Sequence, residues 1–202
     1  MINPYCTLSE LKSHLGIDGA QTAFDDRLEG AIEAASRAID HHTGRRFYAA
    51  AETRYYTAEE SDVLNVDDLL SVTTLKTISA NNGGARSYGD VWATTDYDLE
   101  PYNAPLAGRP YTAIRVNPAG RRSFPLDRKG VEIAGSWGYS SSAPVKVREA
   151  CILQAARLFR RKDAPFGVAG SPEMGQMSGI PRLDPDVQAL LQEFRRLEVA
   201  AA

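Results

Sequence analysis

The sequence predicts an α+β protein: a small helical bundle of about four helices drawn from both chain ends, with an antiparallel β-domain inserted between the second and third. Three observations carry this. Apolar residues recur at helical spacing before residue 46 and again after residue 143. Between those stretches, β-branched and alternating segments are divided by Gly-, Asn- and Pro-rich turns. A chain of 202 residues, 43% hydrophobic and 24% charged, has enough apolar material for a core. The predicted division is residues 1–46 with 143–202 as a helical core, 47–142 as the inserted β-domain, and 163–183 as a flexible partner-docking loop.

The first helix is expected over about 8–15. Thr7 and Glu10 have the spacing of a capping box, in which each side chain satisfies a backbone N–H that the helix start leaves open. Leu8, Leu11 and Leu15 follow helical spacing, and Gly16 suits the left-handed residue after the last turn. The second helix, about 23–43, carries Leu28, Ile32, Ala35, Ile39 and His42 as one stripe. Asp25 and Asp26 complement the positive end of its dipole, and Gly44 ends it. Ala31, Ala34, Ala35 and Ala38 keep the helix thin enough for close packing.

The middle segment changes character. "VLNV", "VTTLKTIS", "YTAIRV" and "GVEIAGSWGYS" read as strands, and "NNGG", "NAPLAGRP" and "NPAG" as the turns between them. Roughly four to six strands are expected.

Helix returns over 144–162, with Ser142 as the expected cap and Pro144 in the first turn. Val147, Cys151, Ile152, Ala155, Leu158 and Phe159 form its apolar face, and Lys146, Arg157, Arg160 and Arg161 its basic one. The segment 163–181 then has four Gly and three Pro. The last helix opens with Asp184 as cap and Pro185 at its first position. Val187, Leu190, Leu191 and Phe194 make its stripe, and Arg195 and Arg196 oppose its dipole.

Charge and chemistry narrow the function classes. The net charge is −3, a poor match to a protein that coats DNA through its phosphates. The charge is uneven: −2 over 1–46, −3 over 47–142 and +2 over 143–202. No stretch approaches the run of about 20 apolar residues that a membrane span needs, so a soluble, membrane-independent protein is expected. Cys6 and Cys151 share no spacing motif and read as buried free thiols. His41 and His42 are adjacent and face different ways on a helix, so no metal or other cofactor is expected. No nucleophile, base and orienter can be assembled, no phosphate loop or dinucleotide fingerprint is present, and Glu59-Glu60 and Asp67-Asp68 read as turn or solvated carboxylates. An enzyme is not expected.

Two features remain. Arg157, Arg160 and Arg161 end a helix, where cations oppose the dipole, yet with Lys146 they exceed what a cap needs. DNA binding, a docking arm and an ordinary helix stop each fit. The long loop that follows carries Phe166, Val168, Met174, Met177 and Ile180, apolar side chains that a solvated linker does not need. Ordering against a partner is the natural role.

Taken together, "YCTLSELKSHLGI", "LEGAIEAASRAIDHHTGRRFY", "VREACILQAARLFRRKDAPFGVAGSPEMG" and "LDPDVQALL" resemble the head–tail connector (adaptor) proteins of tailed bacteriophages and prophages. The resemblance spans about 1–57 and 131–194 and is weaker through the β-insert. It implies a structural protein of the virion neck, made in the bacterial host cytoplasm. It further implies a homo-oligomeric ring, typically twelve-fold, beneath the portal protein. Such a ring extends the channel for genomic DNA and presents a platform to the next neck or tail (stopper) protein. By position, the segment Phe166–Ile180 and the helix from Asp184 correspond to the portal-docking part. The expected docking residues, facing the portal or a neighbouring subunit, are therefore Arg157, Arg160, Arg161, Phe166, Val168, Met174, Met177, Ile180, Val187, Leu190, Leu191 and Phe194. The alternatives are a nucleic-acid-binding accessory protein using the basic helix 144–162, favoured by six Lys/Arg against two Asp/Glu in 143–163, and a hydrolase housed in the β-domain.

Overall fold

A computed structural model describes residues 1–82, 85–161, 168–169, 178–179 and 183–196. The chain divides into two compact units, Met1–Phe47 with Ala143–Ala202, and Tyr48–Ser142. The α+β expectation is borne out, with four α-helices and an antiparallel sheet among the described residues.

In the first unit, α1 spans Leu8–Leu15 and α2 spans Asp25–Thr43. The capping box is formed as predicted: Glu10 N donates to Thr7 Oγ1 at 3.2 Å, and Thr7 N donates to Glu10 Oε2 at 2.8 Å. Gly16 and Gly44 end the two helices at φ 71° and 66°, in the left-handed region that glycine enters without strain. Leu28, Ile32, Ala35 and Ile39 are fully buried. The stripe then passes to Thr43 rather than His42, which is only half-buried.

Helix α3 spans Val145–Arg160 and α4 spans Pro185–Leu191, continued by a 3-10 turn over Gln192–Phe194. Asp184 caps α4 by accepting from Asp186 N at 3.0 Å. Ser142 does not cap α3. Pro144 is the N-cap, because its extended ψ of 155° places the first helical residue at Val145. The carbonyl of Ser142 instead accepts from Ser140 Oγ at 2.7 Å.

What joins the two ends of the chain is aromatic. Phe47 sits edge-on between Tyr5 and Phe194, with ring centroids at 5.7 and 5.4 Å. The backbone follows, as Arg196 N donates to Thr43 O at 2.8 Å and Phe47 N donates to Tyr5 Oη at 3.0 Å. Tyr5 donates in turn to Asp40. The turn between α1 and α2 is held by a lysine. Lys12 is 5% exposed, and its ammonium reaches the Gly19 and Gln21 carbonyls at 3.3 and 2.9 Å and Asp25 at 2.6 Å.

The second unit is built on one sheet. β1 (Ala50–Tyr56), β2 (Val63–Thr77), β6 (Tyr97–Glu100), β7 (Tyr111–Val116) and β8 (Val131–Trp137) lie in the order β1-β8-β2-β7-β6. β5 (Asp90–Trp92) adds to the far end of β2, and β3 (Ala80–Asn82) pairs with β4 (Ala85–Ser87) as a separate hairpin. Every pairing is antiparallel. The segment "VLNV" and the first six residues of "VTTLKTIS" are parts of one 15-residue strand, β2. Register shifts against β8 keep that strand bent rather than broken. Leu64, Leu69, Leu75, Ile114, Ile133 and Trp137 form the centre of its core. Arg54 lies 4.4 Å over the Trp137 ring and pairs with Glu52 and Asp67. Trp92 stacks on Phe124 at 4.8 Å, with Arg122 above it.

Three outcomes follow from this packing. A Cβ on Gly135 would stand 2.3 Å from the Ser71 carbonyl oxygen, so Gly135→Ala should lower stability by about 2–3 kcal/mol in urea denaturation. An unchanged midpoint would mean that the bulge relaxes freely. Phe194→Ala opens the aromatic junction and should cost about 3–5 kcal/mol, seen as an early thermal transition of the helical unit. The third is alkaline. Burial and the nearby Asp67 carboxylate raise the Tyr56 hydroxyl from 10.0 to about 12. Below pH 10 both the folded and the unfolded chain hold this proton, and its contribution is complete. From there to about 12 the unfolded chain ionises first, so stability falls as pH rises. Tyr56→Phe should flatten that fall by less than about 1.4 kcal/mol per pH unit, since the half-buried ring is partly screened. Urea midpoints at pH 9 and 11 measure it.

Candidate partner-docking site

The basic helix end read from the sequence is the last turn of α3. There His14 from α1, Leu153, Ala156, Arg157 and Arg160 from α3, and Arg161 at its C-cap line an open groove of about 330 Å³. Helical spacing puts Leu153, Ala156, Arg157 and Arg160 on one side of α3, which gives the groove an apolar floor and a cationic rim.

Its three arginines differ in role. Arg157 Nη1 lies 3.3 Å from Asp184 Oδ2. Asp184 also caps α4, and its own N–H donates to Gln154 Oε1 at 3.3 Å. Arg157 therefore fixes where α4 begins, and its charge is largely neutralised. Arg160 and Arg161 are exposed and form no ion pair among the described residues.

Lys146, the remaining member of the predicted strip, and its neighbour Arg148 stay exposed but are ion-paired. Lys146 pairs with Glu193 at 2.9 Å, and Arg148 with Glu10 at 3.5 Å. Each exposed pair adds little stability, but together they offset two of the positive charges that α3 carries in sequence. Lys146 and Glu193 also border a second open groove of about 680 Å³, with Asp186, Ala189, Leu190 and Gln192.

The other expected docking residues divide by burial. Val187, Leu191 and Phe194 are buried in their own unit, at 0%, 0% and 7% exposure. They hold α4 onto the helical unit rather than face outward. Leu190 is half-buried at the second groove. The backbone of Val168 is in β9 (Val168–Ala169), which pairs with β10 (Ser178–Gly179); its side chain lies outside the described residues. So do Phe166, Met174, Met177 and Ile180. His14 and Gln154 were not anticipated. Each is brought in by packing between helices far apart in sequence, for which no local signal exists.

The residues considered for catalysis or metal binding are dispersed. Asp67 is held by Arg54 and Tyr56, both at 3.1 Å. His14 and His41 are exposed. Burial, with the Arg195 charge nearby, lowers the pKa of His42. Among the described residues no group of three or more His, Cys, Asp or Glu could hold a metal ion, and no helix is long and apolar enough to cross a membrane.

Comparison with known proteins agrees with the family read from the sequence. Residues 5–99 match the family of phage gp6-like head–tail connector proteins. A solved chain from the neck of an empty gene transfer agent particle, computed with C6 symmetry, superposes with a TM-score of 0.63 at 22% identity. The match covers 98% of this chain and 93% of that one. A chain from the virion of a native gene transfer agent particle gives a TM-score of 0.56 at 22% identity, with the same coverage. No curated protein matches. The matched span takes in α1, α2 and the sheet through most of β6. The resemblance read in the sequence is thus borne out where the family match applies: residues 5–99 of this chain are similar to the phage head–tail connector proteins, and the fold is shared with a protein of a particle neck.

Proposed function

We propose that this protein is a structural, non-catalytic connector in the neck of a tailed-phage-like particle. It is made in the host cytoplasm and built into the virion as a ring beneath the portal. The ring extends the DNA channel and receives the next neck or tail protein. The observation that carries this is the connector-family match over residues 5–99, joined to a fold shared along 98% of the chain with a particle-neck protein. A twelve-fold ring suits the family. The gene transfer agent neck was computed with C6 symmetry, which accommodates twelve copies as two per repeat. A ring needs two different faces on each copy that meet and close by rotation. The net charge of −3 suits a channel through which DNA slides without being held by cationic walls.

The portal-facing part is assigned to the groove with Arg160 and Arg161 and to the apolar residues of the following segment, Phe166, Val168, Met174, Met177 and Ile180. Leu190 borders the second groove beside it. The buried members, Val187, Leu191 and Phe194, act through α4 by holding that surface in place.

The cationic groove also favours a second reading, contact with nucleic acid phosphates, so the test must separate the two. Light scattering after size exclusion, on the protein alone and mixed with its cognate portal, should show either a closed oligomer or a monomer that joins the portal as a defined ring. The double change Arg160→Glu, Arg161→Glu should leave stability within about 0.5 kcal/mol and weaken portal association at least tenfold. A chain that ignores the portal but shifts duplex DNA at low salt would sink the connector reading.

A further inference from the structure

Cys6 and Cys151 are 145 positions apart in sequence, yet their sulfur atoms lie 3.4 Å from each other. Both are free and buried, at 3% and 0% exposure. Cys6 directly precedes the cap of α1, and Cys151 faces it from α3. The surroundings position both sulfurs. Ser36 Oγ lies 3.5 Å from the Cys151 sulfur and donates to Ile32 O at 2.8 Å. The N–H of Tyr5 donates to the same hydroxyl at 3.1 Å. The N-terminal segment is therefore registered against α2 at the residue before Cys6.

We propose that Cys6 and Cys151 are a latent disulfide, closed by peroxide, that staples the N-terminal segment to α3. A disulfide places its sulfurs about 2.05 Å apart, so closure requires each side to give by less than an ångström. Met1–Pro4 are exposed, so the segment that carries Cys6 is bounded on one side by chain that can yield. The partners are also chemically unequal. The Cys6 thiol donates to the Cys151 sulfur, which pushes the Cys6 pKa up and draws the Cys151 pKa down.

Cys151, whose sulfur accepts the hydrogen bond from the Cys6 thiol at 3.4 Å, reacts first. Its thiolate attacks one peroxide oxygen, the O–O bond breaks, and the departing hydroxide takes up a proton to leave as water. Cys151 is then a sulfenic acid. Cys6 loses its proton and attacks the Cys151 sulfur, the S–O bond breaks, and a second water leaves. Two thiols give up two electrons, and one peroxide becomes two waters. The closed loop would enclose the whole β-unit between the two cysteines, so it restricts the unfolded chain strongly. This inference rests on the geometry of the helical unit and is independent of the connector reading.

The full-length protein decides it. After treatment with hydrogen peroxide, non-reducing digestion and mass spectrometry should find one peptide pair joining Cys6 to Cys151, lighter by two hydrogens and separated again by dithiothreitol. Thiol titration should fall from two groups per chain to none, and the thermal midpoint should rise by several degrees. Cys6→Ala and Cys151→Ala should each abolish both the link and the rise. Should either variant fail to fold, the wild-type peptide map suffices. The proposal is overturned if both thiols remain titratable, if they advance to sulfinic acids with no linked pair, or if links form only between copies.

Discussion

The helical unit is discontinuous, and everything in it depends on the two chain ends holding each other. Residues 1–47 cannot bury the inner face of α2 alone, and residues from 143 onward cannot bury α3 and α4. The Tyr5–Phe47–Phe194 junction makes them one body. Phe47 ends the first segment and Phe194 closes the 3-10 turn after α4, so the junction lies where the chain leaves the unit and where it last returns. Edge-on aromatic pairs add about 0.5–1.5 kcal/mol each beyond their burial. The larger effect here is register: with Arg196 bonded to Thr43, α4 can dock in only one place.

The β-unit meets the complementary requirement. An insertion between two helices is tolerated when its first and last residues lie together, because the host then sees a short connection. Ala50 and Trp137 are direct partners in the β1–β8 ladder, so the inserted sheet delivers the chain back beside the point at which it entered. The cost of closing a long loop rises only slowly with length, and the β1–β8 pairing removes most of it by construction. Trp137 seals the same place through its indole N–H, which donates to Glu52 O at 2.9 Å.

Local signals were legible in the sequence, and long-range ones were not. The capping box at Thr7 and Glu10, the Asp184-Pro185 helix start and the glycines at 16 and 44 each depend on a few neighbouring residues, and each is found as expected. The α+β arrangement followed from the switch between helical and alternating periodicity. The failures share a cause. Ser142 looked like a cap because the residue type fits, but the extended backbone at Pro144 moves the helix start past it. β1 and β6 lack a strong apolar alternation and are strands because β8 and β7 pair with them. Lys12 reads as a solvated charge, and only the fold shows three oxygens converging on it. Val187, Leu191 and Phe194 looked like a docking stripe because an apolar stripe carries no label for the surface that covers it.

The same limit shapes the basic helix end. In sequence, α3 presents a row of cations, and a row of cations suggests an anionic partner. In the fold, acids from α1 and from the segment around α4 meet most of them. Lys146, Arg148 and Arg157 are matched by Glu193, Glu10 and Asp184, which come from segments distant in sequence. Two consequences follow. The field of α3 is far weaker than its composition implies, which counts against tracking along duplex DNA, where several phosphates must be neutralised together. Among the described residues at this helix end, the cations without an ion pair are Arg160 and Arg161, at the point where the chain enters the long segment toward α4. A small charged spot beside apolar side chains is suited to a protein partner, where a few oriented contacts set position and apolar burial supplies the affinity.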